Sequence, residues 1–412
     1  MRVLFVGAYG IRNIGDDAML LAWADGLKQR DNSVQTTIMS RHSESEYHYY
    51  EKYGINVIPN LDHPSAEKAG GKRFFGLNDG DSDSHLIQIR QEIEKTDLIV
   101  MGGGDAFVDL TTGVYRGPSV YLALICTIAK FFRKPVIVAG VTVVPFYSNT
   151  GLDLTRHILE NAKFVIFRDK ASYKVLENYG LLLPENKWDV LPDPALGLNR
   201  NYTNHKIPEI ARMCAASRAN KVKIGISIRD LYWKEADEKS YIDKLVLLCN
   251  TLIEEFQAYL VFIPHSCYEK DDIRKDDRPI ASRISRGIEE SGKHCEIQKY
   301  LDVEGYLALY SSLDLVIGMR HHSMVLSALV NVPPIALTYS EKVTNFMNDI
   351  MMGENTFDVN HFSVEAVTNK VKHLLAKDVY DQEREKLSGV VNNKRILWNK
   401  YIDYMFSIMN SS

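Results

Sequence analysis

From residue 1 to about 190 the chain alternates short aliphatic and β-branched runs with longer stretches whose apolar positions recur at helical spacing. Val3–Val6, Val34–Met39, Leu98–Met101, Val136–Ala139 and Val165–Phe167 read as strands. Strands separated by helical stretches call for a parallel sheet with crossover helices. After a polar stretch near 198–221 a second series begins, with Val222–Ile228, Tyr259–Pro264, Leu315–Gly318 and Pro334–Leu337 as strands. The pattern therefore predicts an α/β protein of two doubly wound parallel-sheet domains: residues 1–195, a linker over 196–220, and residues 221–412 ending in helices over 363–410. Ligands of open α/β sheets bind beyond the carboxyl ends of the strands. Chemistry is thus expected immediately after strands, around a central cleft.

Two segments depart from the alternation. Residues 62–84 are rich in Gly, Asp and Ser yet carry Phe74 and Phe75, which reads as an inserted mobile lid. Trp398, Tyr401, Ile402, Met405, Phe406 and Met409 share one helical face, which reads as a packing surface. The longest apolar region, Tyr121 to Phe146, is broken by Lys130, Arg133, Lys134 and Pro135, so no membrane span is expected. Met1 leads straight into a strand without the basic and apolar regions of a signal peptide, and a cytoplasmic location is expected.

Composition adds mainly exclusions. Hydrophobic residues at 45% and charged residues at 25% rule out a disordered or fibrous chain. The net charge of −4 supplies no overall positive field, which argues against nucleic acid as a partner. Five scattered cysteines without a CxxC pair support neither a disulfide framework nor a zinc ribbon.

In the first half, the strand at the N-terminus opens into a turn containing Gly10, Asn13, Gly15 and Asp16, followed by an apolar helix. Glycine-rich backbone at a helix N-terminus suits anions or sugar hydroxyls. The turn lacks both the P-loop ending and the GxGxxG spacing, which excludes the usual nucleotide readings. Asp16 could equally cap the helix. Gly102, Gly103, Gly104 and Asp105 follow the strand at 98–101, and Arg168-Asp169 follows the strand at 165–167. Arg168 is read either as an anion-binding fork facing the cleft or as a surface ion pair, and Asp169 as a helix cap.

In the second half, strand exits deliver Arg229, His265-Ser266 and, most densely, Arg320, His321, His322 and Ser323. Tyr339, Glu341 and Lys342 follow the next strand. So many polar groups at one strand exit are costly to bury without purpose. Adjacent histidines diverge on a helix and no further ligand stands at familiar spacing, so no metal is expected.

Together, Gly10-x-x-Asn13-x-Gly15-Asp16-Asp17-Ala18, Gly102-Gly103-Gly104-Asp105, Arg168-Asp169-x-x-Ser172, Asp193-Pro194, Arg320-x-His322-Ser323 and Pro333-x-Ile335-x-Leu337-x-Tyr339-x-x-Lys342 carry a resemblance. The chain resembles the polysaccharide pyruvyl transferase family from about residue 1 to 350. That resemblance implies a GT-B-like fold of two Rossmann-type domains. It also implies transfer of the enolpyruvyl group of phosphoenolpyruvate to a glycan or lipid-linked sugar as a pyruvate ketal, with peripheral membrane association where the acceptor is lipid-linked. Arg320 and His322 match the family's Arg-x-His at the phosphoenolpyruvate site. His322 is then the expected acid, and Asp16 or Asp105 the expected base. Arg229 and Arg168 are further forks for the donor, which is a substrate, so no cofactor is expected. The stretch Gly140–Pro145 departs from the family's Gln-Gly-rich form. Two other readings stand beside this one: a nucleotide-sugar glycosyltransferase using Glu341, and a non-catalytic sugar-binding relative.

Overall fold

Every apolar run expected to be a strand forms one, and each lies in the interior of a parallel sheet. The structure, a computed structural model, describes all residues except 41–42, 62–84, 105–106, 108–117, 204–221, 232–237, 268–274, 291 and 412. The expected lid at 62–84, with Phe74 and Phe75, lies outside the described residues, as does Asp105.

The chain divides into two units. One comprises Met1–Ile11, Asp16–Leu198 and Arg395–Ser412, the other Arg12–Gly15 and Asn199–Lys394. In the first, β1 (Arg2–Tyr9), β2 (Gln35–Ser40), β3 (Ile55–Pro59), β4 (Leu98–Gly102), β5 (Val136–Val141), β6 (Phe164–Phe167) and β7 (Trp188–Val190) take the order β3-β2-β1-β4-β5-β6-β7. All neighbours are parallel; Phe5 of β1 stands opposite Ile38 of β2 and Val100 of β4. In the second, β8 (Val222–Ser227), β9 (Ala258–Phe262), β10 (His294–Glu296), β11 (Leu315–Gly318), β12 (Pro334–Thr338) and β13 (Thr356–Asp358) take the order β10-β9-β8-β11-β12-β13. These strands are parallel too, with Gly318 opposite Ser227 on one side and Ala336 on the other. Strand order therefore reverses between β1 and β4 in the first sheet and between β8 and β11 in the second. Such switch points are where the carboxyl ends of an open sheet leave a crevice.

β3, β7, β10 and β13 are absent from the expected strands, and all are sheet edges. Three of them have only 3 residues, none of these fully buried, so no continuous apolar run marks them.

The domain boundaries differ from expectation at two places. Residues 395–412 join the first unit rather than ending the second, and Arg12–Gly15 join the second. The reason for the first difference is the apolar face of the helix Lys377–Asn410. Trp398 packs on Gly26 and Gly197, Tyr404 stacks on Phe164 with ring centroids 4.2 Å apart, and the Tyr401 hydroxyl donates to the Pro192 carbonyl at 3.1 Å. Tyr401 also meets the edge of Trp23, fully buried and stacked on Phe5. Truncating Trp23 to Ala would cost about 3–5 kcal/mol.

Among the described residues no helix is long and apolar enough to cross a membrane. Among the described residues, Cys126, Cys249, Cys267 and Cys295 are not in disulfide bonds.

Candidate active site

In the second unit, the ends of the four adjacent strands β9, β8, β11 and β12 carry His265, Arg229, Arg320 with His322, and Tyr339 respectively. β11 ends at Gly318, and the helix His321–Leu329 begins three residues later with Arg320 in the extended cap position. The Ser323 hydroxyl donates back to the Arg320 carbonyl at 2.6 Å, which closes the first turn. That fixes the direction in which Arg320 and His322 leave the strand.

Arg320 is held by Asp277. Its Nε donates to Oδ2 at 3.0 Å and its Nη2 donates to Oδ1 in a bidentate fork. The same Oδ2 accepts from the backbone N–H groups of His265 and Ser266, each at 3.0 Å. Asp277 precedes the helix Arg278–Ser285 in the position where an aspartate ordinarily caps, yet it makes no side-chain cap bond there. Its carboxylate, 1% exposed, is spent on Arg320 and the β9 exit instead.

The β9 exit is tied down from several directions. Tyr306 donates to the Pro264 carbonyl at 2.6 Å, and the His265 ring shares a 2.6 Å hydrogen bond between Nε2 and the Tyr310 hydroxyl. Arg12–Gly15 lie antiparallel to this exit: Ile14 N–H donates to the His265 carbonyl, Cys267 N–H to the Arg12 carbonyl, both at 3.0 Å. Burial, reinforced by the positive charges of Arg320 and His322, holds the His265 pKa well below the usual imidazole value. His265 is therefore a neutral ring near the Arg320 guanidinium.

His322 is positioned against the Arg12–Gly15 segment, where its imidazole occupies the space that a side chain on Gly15 would need. Asn13 Oδ1 accepts from Gly15 N–H at 3.1 Å and so caps the helix Ile14–Arg30, the role for which Asp16 was a candidate. His321 is buried, with its ring edge-on to Phe346 at 5.1 Å and to His322 at 4.9 Å. Arg229 donates to the Tyr339 hydroxyl at 2.8 Å, which joins the β8 and β12 exits on either side of β11. Lys342 stands in the first turn of the helix Glu341–Asp349.

The first unit carries its own polar group at the β1/β4 switch point. Asp16 and Asp17, both buried, sit in the first turn after β1, and Gly103 and Gly104 follow β4 with φ of +102° and +44°. Asp16 Oδ1 lies against both glycines, within 3.5 Å of where their side chains would begin. Tyr50 donates to Asp17 at 2.5 Å and accepts from Gly10 N–H at 2.9 Å.

Arg168 does not join this group. Its guanidinium is 3% exposed, paired with Asp193 at 3.2 Å, and donates through Nε to Thr142. The sequence offers it as a fork facing a cleft or a surface ion pair; the ion pair exists and is buried. Asp193 also accepts from Ala195 N–H at 3.0 Å, capping the turn Pro194–Gly197. Asp169 caps the helix Lys170–Asn178 as expected, accepting from Ser172 N–H at 2.7 Å.

The fold is shared with sugar-processing proteins of low sequence identity. A glycosyltransferase from Rickettsia africae ESF-5 is 16% identical with a TM-score of 0.62, covering 100% of this chain and 99% of its own. The UDP-GlcNAc 2-epimerase from Neisseria meningitidis, bound to UDP-GlcNAc, is 13% identical with a TM-score of 0.59, covering 98% of this chain and 100% of its own. Trehalose-6-phosphate synthase OtsA is 11% identical with a TM-score of 0.60, covering 100% and 99%. The two parallel-sheet domains are thus GT-B-like. The family described as polysaccharide pyruvyl transferase matches residues 13–341, a span that holds Asn13, Gly15, Asp16, Asp277, Arg320 and His322. With its motifs placed on the exits of the two sheets, this chain belongs to the polysaccharide pyruvyl transferase family.

Proposed function

We propose that the chain moves the enolpyruvyl group of phosphoenolpyruvate onto sugar hydroxyls of a cell-surface polysaccharide or its lipid-linked precursor, forming a pyruvate ketal and releasing phosphate. The observation that carries this reading is Arg320 with His322 at the exit of β11, beside Arg229 at the exit of β8, in a member of this family. Phosphoenolpyruvate bears a carboxylate and a phosphate, and a guanidinium matches the planar geometry of each through charge-assisted bonds.

In the proposed reaction a proton adds to C3 of the enol phosphate, a sugar hydroxyl attacks C2, the C2–O bond to phosphate breaks, and a second hydroxyl closes the ketal. The two hydroxyl protons balance the new C–H bond at C3 and the protonated phosphate. His322 is assigned the delivery of the proton to C3. Arg320 and Arg229 hold the anionic groups, with Lys342 and Tyr339 at the neighbouring strand end. Asp16 is assigned the removal of the proton from the attacking hydroxyl. A positioned acid or base of this kind contributes about 10²–10⁴-fold. No step calls for a metal or an organic cofactor.

Calorimetric titration with phosphoenolpyruvate, UDP-sugars and GDP-sugars tests the reading, followed by phosphate release in the presence of glycan. Micromolar phosphoenolpyruvate binding with no nucleotide-sugar binding supports it. The reverse result would make the chain a nucleotide-sugar glycosyltransferase, the second reading, which draws on the glycosyltransferase among its structural neighbours and gives Glu341 the ribose.

A further inference from the structure

The hydroxyl of Tyr9 ends β1 in an unusual position. Tyr9 is 1% exposed, and its oxygen has no hydrogen-bond partner among the described residues. Buried phenols ordinarily find one, because leaving a buried polar group unmet is unfavourable. The oxygen borders a small space over Gly103, 3.8 Å from where a side chain on that residue would begin. Asp16 Oδ1 at 3.5 Å and the Ala8 backbone nitrogen at 3.6 Å border the same point. Gly103 keeps this space clear, since its φ of +102° is one that side-chain-bearing residues rarely adopt. Ala8, next to Tyr9, is exposed to solvent.

The chemistry of the borders selects the ligand. Burial, then the charges of Asp16 and Asp17, push the Tyr9 pKa well above the ordinary phenol value, so the oxygen carries its proton and donates. Asp16 accepts. One donor beside one acceptor is the complement of a hydroxyl, which gives one hydrogen bond and receives another. Asp17 and Glu46, buried in the same unit, disfavour an anion there.

We propose that Tyr9 and Asp16, over Gly103 at the β1/β4 switch point, bind a hydroxyl group of the sugar acceptor, with Tyr9 donating to the oxygen and Asp16 accepting its proton. This rests on the proposed function for the identity of the acceptor as a sugar. It adds Tyr9 as the residue that orients the hydroxyl Asp16 would deprotonate.

The test is Tyr9→Phe, which removes one oxygen and keeps the ring. Binding of methyl glycosides of glucose, galactose and mannose, each carrying a 4,6-diol, is followed by saturation-transfer NMR titration, with phosphoenolpyruvate binding and melting temperature measured alongside. The expected result is glycoside affinity weakened by about tenfold, the worth of one lost hydrogen bond to a ligand, with the melting temperature unchanged or raised. A purely structural hydroxyl gives the opposite, a lowered melting temperature and unchanged affinity, and that outcome overturns the proposal. Failure of the wild-type protein to bind any of the three glycosides overturns it as well. Loss of phosphoenolpyruvate binding in the wild type would instead count against the donor assignment, and leaves the glycoside comparison valid on its own.

Discussion

The imidazole of His322 fills the place where a side chain on Gly15 would stand. Both belong to the second unit, Gly15 through the short segment Arg12–Gly15 that lies along the β9 exit. The glycine of the Asn-x-Gly-Asp-Asp motif is therefore a steric requirement of the histidine in Arg-x-His, two motifs about 300 residues apart.

Gly15→Ala should displace the ring rather than unfold the chain, because an imidazole at the end of two rotatable bonds gives way more easily than backbone. The expected outcome is a fall in kcat of at least about tenfold, with His322→Ala alone lowering it by roughly 10²-fold. Combined, the two changes should cost no more than His322→Ala by itself, the non-additivity of residues acting through one another. Additive losses in steady-state kinetics would show that Gly15 acts by another route.

Arg320→Lys should weaken phosphoenolpyruvate binding by about tenfold or more, since an ammonium cannot span both Asp277 and an anion in the fork geometry. Asp277→Asn leaves a largely buried guanidinium without its counter-charge and should destabilise the protein by about 3–5 kcal/mol. Calorimetry for the first and denaturant unfolding for the second check these outcomes. Equal donor affinity in Arg320→Lys would remove Arg320 from the donor site.

For Arg168 the expected signature is different. Its pairing with Asp193 in a dry environment makes Arg168→Met a stability variant, costing about 3–5 kcal/mol through the stranded carboxylate. Phosphoenolpyruvate affinity of the folded fraction should stay within a few-fold of wild type. A selective loss of donor binding with unchanged unfolding would restore it as a ligand fork.

The neutral state of His265 predicts a pH effect on stability. Its folded pKa is lowered, so between that value and the unfolded value of about 6.5 the unfolded chain binds the extra proton. Stability from this group is complete above about pH 6.5 and declines as pH falls, by up to about 1.4 kcal/mol per unit. The stability difference between wild type and His265→Gln should therefore shrink from pH 7 to pH 5. Parallel unfolding curves across that range would contradict it.

Sequence pattern reaches the interior strands because their apolar runs are dictated by burial on both faces. The edge strands β7, β10 and β13 are short and half-buried, and nothing in Trp188–Val190 or His294–Glu296 sets them apart from a loop. Asp277 escaped for a different reason. Followed by Arg278-Pro279, it reads as an ordinary helix cap, and only the structure shows its carboxylate turned to Arg320. Tyr9 looks like one more apolar residue ending a strand; its significance lies in an oxygen without a partner, which no spacing rule can detect. Arg320, His322 and Gly15 were legible because they stand in motifs that follow strands, and Arg229 because a strand delivers it.

The helix Lys377–Asn410 completes the core of the first unit with Trp398, Tyr401 and Met405. During synthesis the ribosome has already released residues 1–198 long before these side chains exist. The first unit must wait, with Trp23, Gly26 and Gly197 lacking their final neighbours, while the later-made second unit finds its Arg12–Gly15 strap already synthesised. A segment translated about 200 residues later therefore sets the time at which residues 1–198 can complete their core.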